Sequence, residues 1–281
     1  MTEFENIVIG KSSIPSLIIT VILMLAIPVV LFIFWRRKHK QQTIIRYLIA
    51  GALGFLVSAR GLEVVVHYFC ILADNPVSRF LNGSTAAYVL YGIIMAGVFE
   101  ECGRHIVLKY VMEKNRTREN AVLYGIGHGG IEILAVVLPS MITYLVVAVA
   151  FSQGNVESAL RTLKITEDTA SAALPSVQAA AAFDYAAMAM NVVERLFAML
   201  IHLGLTVIVF YGVCSARKRY LPLAILLHML MDIFPALYQR GAAPLWAVEV
   251  WAALWTAVVA YIAVRLYNKC ENAANELNTG L

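Results

Sequence analysis

The stretch AGVFEECGRHIVLKY, residues 96–110, decides what kind of fold this chain can have, because it places charges inside an apolar segment. Glu100, Glu101 and Arg104 interrupt a run that is otherwise hydrophobic enough for a membrane. Ionisable side chains at membrane depth are costly, usually face the protein interior, and usually serve a function. We therefore expect a transmembrane helix here, with its polar face lining a buried site.

The composition of the whole chain is that of a membrane protein. Of its 281 residues, 60% are hydrophobic and 14% are charged, whereas a soluble domain carries roughly 25% charged residues. The net charge of +4 falls mainly in loops between apolar segments, so we expect no nucleic-acid partner. The four cysteines are scattered and form no CxxC pair, which argues against a disulfide framework and against a zinc finger.

Seven segments contain the ~20 mostly apolar residues that a transmembrane helix needs. We predict an all-α polytopic membrane protein, a single membrane domain over residues 1–281, whose spans 3 to 6, about 85–238, form a catalytic core. The predicted spans lie at about 14–35, 43–72, 85–109, 119–151, 185–214, 220–238 and 244–266.

The basic residues alternate along the chain in a way that predicts its orientation. Clusters at Arg36–Lys40, Lys114–Arg118 and Arg217–Arg219 follow spans 1, 3 and 5, and the loops at the other ends carry fewer positive charges. Because positive loops stay in the cytoplasm, we predict an N-out, C-in protein of the cytoplasmic membrane, in contact with the lipid bilayer. The long loop at about 152–184 is then extracytoplasmic, with short helices and with Pro175 near the start of a long helix that leads into span 5.

Polar residues recur in spans 3 to 6 at a similar depth. At 1.5 Å per residue, the first polar residue of each span in this set lies between about 12 and 18 Å from the cytoplasmic end of its helix. On spans 3, 4 and 6 another polar residue follows four positions later, so each such pair shares one helix face. The candidate catalytic residues are Glu100, Glu101, Arg104, His128, Glu132, His202, His228 and Asp232.

A second group of charged residues lies nearer the predicted outer boundary. Arg60 and Glu63 belong to span 2, and Glu194 and Arg195 belong to span 5. We interpret these four residues as a structural charge network rather than as part of the site.

The candidate residues suit the activation of water for hydrolysis. One glutamate could act as a general base, and neutral histidines could donate hydrogen bonds to a developing oxyanion. Alternatively, His128, His202 and His228 could bind zinc together with a carboxylate, and the metal-bound water would be the nucleophile. The sequence contains no HExxH motif, so spacing leaves both routes open: the cofactor is either none or a divalent metal such as zinc.

Three motifs in this region resemble those of the YhfC family of membrane peptidases. The stretch EECGR at 100–104 resembles its EExxR motif, HGGIE at 128–132 its HGxxE motif, and HMLMD at 228–232 its HxxxD motif. That family is grouped with the type II CAAX prenyl endopeptidases and the bacteriocin-processing proteins, and the PrsW proteases and the non-catalytic scaffold subunit of gamma-secretase belong to the same clan. The motifs of the CAAX endopeptidases differ from this sequence in three ways. They have one more residue between the second glutamate and the arginine, Phe at the position of Tyr124, and, in many relatives, Asn at the position of Asp232.

The resemblance covers spans 3 to 6 and implies a role for each motif. Glu100 or Glu101 would activate the water, His128 and His228 would stabilise the oxyanion, and Asp232 would replace the Asn in that role or orient His228. The implied activity is that of an intramembrane endopeptidase that hydrolyses a peptide bond, in a peptide or membrane-protein substrate, in the cytoplasmic half of the bilayer. The scaffold subunit lacks the glutamate pair that this chain keeps, which favours a catalytic protein.

Two other functions fit inward-facing histidines and carboxylates. A proton- or ion-coupled transporter could use them as a proton relay, although transporters tend to contain internal repeats and none is evident in this sequence. A non-catalytic membrane scaffold could retain them as a vestigial site. Among single residues, His202 has no ionisable partner four positions away, Glu132 lies deeper than the others, and Arg104 is expected to orient a glutamate.

Overall fold

A computed structural model of the chain describes residues 2–279, and within them every regular element is a helix. Seven helices in this part of the chain are long and apolar enough to cross a membrane. The all-α class and the seven predicted spans are therefore confirmed, and the last span is longer than expected. Numbered 1 to 7 in chain order, the spans are Ser13–Lys38, Arg46–Leu72, Thr85–Val111, Arg118–Ser152, Tyr185–Cys214, Tyr220–Gln239 and Leu245–Ala274, the last within a helix Leu245–Thr279.

Shorter helices lie between the spans. The helix Pro76–Gly83 links spans 2 and 3. The Asn75 side chain begins it by accepting hydrogen bonds from the backbone N–H groups of Val77 and Ser78, at 2.9 and 3.0 Å, which is the usual way to satisfy the free donors of a helix start. The other short helices are Thr2–Phe4, Glu113–Asn115, Val156–Thr162 and Glu167–Ala181.

The loop after span 4 contains short helices as expected, but the prediction for Pro175 is wrong. This proline lies inside the helix Glu167–Ala181, and span 5 begins separately at Tyr185. The helix begins eight residues before the proline because the Thr169 hydroxyl accepts a hydrogen bond from the Thr166 backbone N–H at 2.9 Å. This contact is one half of a capping box, which starts a helix without any proline.

Several spans depart from regular α-helical geometry. Span 2 contains π-helical stretches at Leu56–Glu63 and Tyr68–Leu72, and span 4 contains one at Ile133–Val137. Span 6 consists of two helices, Tyr220–Met231 and Ile233–Gln239, with Asp232 at the junction. Such irregular turns are frequent at functional sites, and here one of the candidate site residues occupies the junction.

The packing divides the chain into two compact units. The first unit comprises residues up to Val29 together with Ile133–Arg195, and the second comprises Val30–Glu132 together with the residues from Leu196 onward. The first unit has its own apolar core, which includes Phe4, Leu17 and Phe151. The single membrane domain stays a prediction, because compact packing alone does not define a folding domain.

Close contact between spans 2 and 4 shapes the second unit. A Cβ atom added at Gly51 would lie 2.0 Å from the carbonyl oxygen of Tyr124, and one added at Gly127 would lie 2.0 Å from the carbonyl oxygen of Leu48. Only glycine therefore allows the two backbones to approach this closely, as small residues do in other membrane helix pairs. Because Gly127 precedes His128, this contact also determines where that imidazole lies.

Candidate active site

The candidate site lies within the second unit, where four spans bring their polar side chains together. All of the residues predicted from the sequence take part in one connected set of contacts. They are Glu100, Glu101 and Arg104 on span 3, His128 and Glu132 on span 4, His202 on span 5, and His228 and Asp232 on span 6.

Arg104 is the centre of these contacts, and its side chain is fully buried. Its Nε and Nη2 atoms donate to the two carboxylate oxygens of Glu101, at 3.0 and 3.1 Å. Nη2 also lies 3.2 Å from His128 Nε2 and 3.1 Å from His202 Nδ1. A guanidinium group presents five N–H donors in a rigid plane, so Arg104 holds spans 3, 4 and 5 in one arrangement.

Thr206 is a site residue that sequence reasoning missed. Its hydroxyl accepts a hydrogen bond from Arg104 Nη1 at 2.5 Å, and the same Nη1 donates to the backbone carbonyl of His202 at 3.1 Å. The available signal was its spacing, because Thr206 lies four residues after His202 and therefore on the same helix face. With these contacts, every nitrogen of the buried guanidinium has a partner.

The two adjacent glutamates have different surroundings. Glu101 is fully buried, and its Oε1 atom accepts a further hydrogen bond from His228 Nδ1 at 2.8 Å. Glu100 instead makes its short contact through Oε2, which lies 3.0 Å from His128 Nε2. Its Oε1 atom makes no hydrogen bond with the described residues, and 11% of its side chain is exposed. Glu101 is thus fully engaged by cationic and imidazole donors, whereas Glu100 keeps one oxygen for another group.

The structure places His202 firmly inside the site. Its Nδ1 atom lies 3.1 Å from Arg104 Nη2, and its Nε2 atom lies 2.5 Å from Glu132 Oε2. Glu132, which the depth count placed below the cluster, therefore contacts it directly through this ring. The partner of His202 could not be found by spacing, because it belongs to another span.

His228 lies between two carboxylates. Its Nδ1 atom donates to Glu101, and its Nε2 atom lies 3.4 Å from Asp232 Oδ2. His228 is 2% exposed, while 24% of the Asp232 side chain is exposed. These contacts determine the orientation of the ring and direct Asp232 towards the more open side of the site.

Three of these residues also have the geometry of a metal site. One ligand atom each from Glu100, His128 and His202 lies within 4.8 Å of the others, and all three residues are buried. Two imidazoles and a carboxylate are a common ligand set of catalytic zinc. His128 Nε2 and His202 Nδ1 both face Arg104 Nη2, at 3.2 and 3.1 Å, so these two possible ligand atoms converge, as metal ligands require. The donor set therefore fits a divalent metal, which would replace those arginine contacts, and His228 is not part of this group.

Three of the four residues expected to form a separate charge network, Glu63, Glu194 and Arg195, make ion pairs within their own unit. Glu63 lies 3.2 Å from His67 Nε2, and the Nδ1 atom of that ring lies 2.7 Å from the Tyr91 hydroxyl. Glu194 contacts the neighbouring Arg195. A single network that joins all four predicted residues stays a prediction. The contact between His67 and Tyr91 could not be predicted from the sequence, because the two residues belong to different spans.

Comparison with known proteins identifies the family of the chain. The family model described as YhfC intramembrane metalloprotease matches residues 23–252, which include every candidate residue. A curated relative from Bacillus subtilis (strain 168), described as uncharacterized membrane protein YhfC, is 32% identical over 243 residues, which cover 85% of this chain and 90% of that protein. No solved structure gives a significant match. With its seven apolar spans and its polar site, the chain is a multi-pass membrane protein that belongs to the YhfC intramembrane metalloprotease family.

Proposed function

We propose that this protein is an intramembrane endopeptidase in which Glu100 activates the attacking water. The observation that carries the proposal is the difference between the two glutamates. Both oxygens of Glu101 are occupied by Arg104 and His228, whereas Oε1 of Glu100 has no hydrogen bond with the described residues. A general base must have a free lone pair within reach of the water it deprotonates, and Glu100 meets that requirement.

The reaction follows from these positions. Glu100 accepts a proton from water, and the water oxygen attacks the carbonyl carbon of the peptide bond to form a tetrahedral intermediate. The C–N bond then breaks, and Glu100 returns its proton to the leaving nitrogen. The products are a carboxylic acid and an amine, and transfer of the acid proton to the amine gives a carboxylate and an ammonium group, so atoms and charge balance. General acid–base catalysis of this kind contributes about 10²- to 10⁴-fold to a rate.

The other residues position the reacting groups. His128 on span 4, which contacts Glu100, and His228 on span 6, which contacts Glu101, are the candidate donors to the oxyanion. Such preorganised donors in a site with little water stabilise developing charge strongly. Glu101 holds Arg104 and His228, and Asp232 orients His228 from its other side. Glu132, whose Oε2 atom lies 2.5 Å from His202 Nε2, orients that ring.

A divalent metal is compatible with these roles. Glu100 Oε2, His128 and His202 would hold it, and the second glutamate oxygen would remain for the proton. A bound divalent ion would supply Lewis-acid activation of water and of the peptide carbonyl. The family description, metalloprotease, supports this assignment.

The proposal also includes the environment of the reaction. The substrate is a peptide or membrane protein within the bilayer, and the protein lies in the cytoplasmic membrane with its N-terminus outside and its C-terminus inside. The basic clusters after spans 1, 3 and 5 support this orientation. By the depth of Glu100 on span 3, cleavage then takes place in the cytoplasmic half of the bilayer.

The test uses the purified protein in lipid nanodiscs with a panel of fluorescently tagged single-span membrane proteins. We expect cleavage of at least one of them, and Glu100→Gln should reduce its rate by about 100-fold or more. Glu119→Gln is the matched control, because Glu119 is a carboxylate of the same unit that pairs with Arg118 away from the site. Unchanged cleavage by Glu100→Gln would contradict the proposal. Absence of cleavage together with proton flux in proteoliposomes would favour the transporter, and absence of both would favour the scaffold.

A further inference from the structure

A large cavity adjoins the candidate site within the second unit. It has a volume of about 520 Å³ and is formed by spans 2, 3 and 6. Binding sites for small ligands are typically about 300–1,000 Å³. Asp232, which contacts His228, is one of the residues that line it. The cavity therefore reaches the group that orients one of the candidate oxyanion donors.

The cavity lies entirely on one side of the site. On span 3 its lining ends with Ala96, one helical turn before Glu100. On span 6 it begins at Asp232 and continues to Gln239, away from His228. These segments lead to the ends of the spans next to the helix Pro76–Gly83. We call this side of the second unit the Pro76–Gly83 end.

The opposite side of the site is filled by tightly packed side chains. Leu108 on span 3, Tyr124 on span 4, Phe210 on span 5 and Ala224 on span 6 all lie between the site and the basic loops, and each of them is 0% exposed. They belong to one continuous apolar core. We call this side the basic end. A second cavity of about 330 Å³ lies here between spans 2 and 3, but its lining includes none of the candidate site residues, so it does not reach the site.

The lining of the cavity combines aliphatic walls with polar groups. Val64, Ile93 and Ala236 provide apolar surface, while Arg60, Tyr91 and Gln239 provide hydrogen-bonding groups. Arg60 is exposed and forms no ion pair with the described residues. A peptide that is unwound for cleavage inside a membrane must have its backbone N–H and C=O groups satisfied by the protein. This mixed lining suits such a peptide better than it suits either a lipid chain or a simple ion.

We propose that this cavity is the entrance through which the substrate reaches the site, and that it accepts an extended, mainly apolar peptide segment. With the orientation indicated by the basic loops, the entrance faces the extracytoplasmic side. The substrate therefore enters from the extracytoplasmic side and passes further into the membrane to reach the site. The role of the cavity in admitting substrate rests on the proposed peptidase activity, whereas the existence of the opening does not.

The test is site-directed thiol labelling in a variant whose four natural cysteines are replaced by alanine. Ala96→Cys places a thiol in the cavity one turn before Glu100, and Ala224→Cys places a matched thiol one turn before His228 on the packed side. Gly83→Cys and Lys114→Cys, at exposed positions, mark the two ends of the second unit. Two reagents that cannot cross the membrane are used on sealed vesicles of each orientation: a small charged methanethiosulfonate and a maleimide attached to a polar tetrapeptide.

We expect both reagents to modify Ala96→Cys at least about ten times faster than Ala224→Cys, and only in vesicles that also expose Gly83→Cys. Two results would contradict the proposed entrance. One is labelling only from the side that exposes Lys114→Cys, and the other is equally slow labelling of both alanine positions. If only the small reagent reacts, the cavity admits water but not peptide, and the substrate assignment is overturned. Monodisperse elution of each variant in size-exclusion chromatography confirms folding. Because labelling requires no catalysis, failure of the entrance and failure of the peptidase proposal remain distinguishable.

Discussion

The Oε1 atom of Glu101 lies 2.8 Å from the Nδ1 atom of His228, although 127 residues separate them in the chain. The same carboxylate binds Arg104 through both of its oxygens. Glu101 thus connects span 3 to span 6 and neutralises a buried guanidinium. Its neighbour Glu100 makes none of these contacts, so two adjacent identical residues have different surroundings.

The first prediction concerns the stability of the two glutamine variants. Glu101→Gln should lower the free energy of unfolding, because it leaves the fully buried charge of Arg104 without its counter-ion, a change that typically costs about 3–5 kcal/mol. Glu100→Gln should cost much less, since Glu100 has no direct contact with a cationic side chain. Thermal unfolding of both purified variants measures the difference. Equal losses of stability would show that the two carboxylates are equivalent.

The second prediction concerns the shape of the Arg104 side chain. Arg104→Lys keeps the positive charge but cannot bind Glu101 through two parallel hydrogen bonds or reach Thr206 and two histidines at once. Each lost charge-assisted hydrogen bond is worth about 1.5–3 kcal/mol, so unfolding should occur at a clearly lower temperature. Arg79→Lys is the control, because Arg79 forms an exposed pair with Asp74. Similar melting temperatures for the two variants would argue against the role of Arg104.

The third prediction concerns metal binding. The purified protein should retain close to one zinc ion per chain, measured by elemental mass spectrometry after extensive dialysis, because two imidazoles and a carboxylate converge. His128→Ala and His202→Ala should each lose the ion. His105→Ala should keep it, since His105 follows Arg104 on another face of span 3. Full zinc content in the His128 and His202 variants would place the metal elsewhere.

The fourth prediction concerns the packing of span 2 against Tyr124. The Tyr124 hydroxyl is buried and has no hydrogen-bond partner among the described residues. A Cβ atom at Gly54 would lie 2.8 Å from it, so Gly54→Ala should destabilise the protein by about 1–3 kcal/mol through overpacking. Tyr124→Phe should leave stability unchanged or raise it, because an unpaired buried hydroxyl costs free energy.

The double variant tests this contact directly. Tyr124→Phe removes the atom that the new methyl group would strike, so it should rescue most of the loss caused by Gly54→Ala. Unfolding measurements on the two single variants and the double variant form a thermodynamic cycle. Strictly additive effects would mean that the methyl group is accommodated in some other way.

Much of the site could be predicted from the sequence because membrane burial makes polar residues conspicuous. Glu100, His128 and His228 stand out in apolar spans, and their regular spacing shows which residues share a face with them. The partner of His202 could not be predicted in this way, since Glu132 lies on another span. Thr206 was also missed, because a threonine in an apolar helix usually has its hydroxyl bonded to its own backbone.

The sequence by itself determined the number of spans and most residues of the candidate site, because hydropathy and helical periodicity depend only on local order along the chain. Tertiary structure alone decided which glutamate is held by Arg104 and which keeps a free oxygen. Successive residues on a helix point about 100° apart, so Glu101 faces span 6 while Glu100 faces span 4. The cavity beside Asp232 likewise depends on how three spans pack. These features depend on distances between residues of different helices, and the sequence alone does not contain those distances.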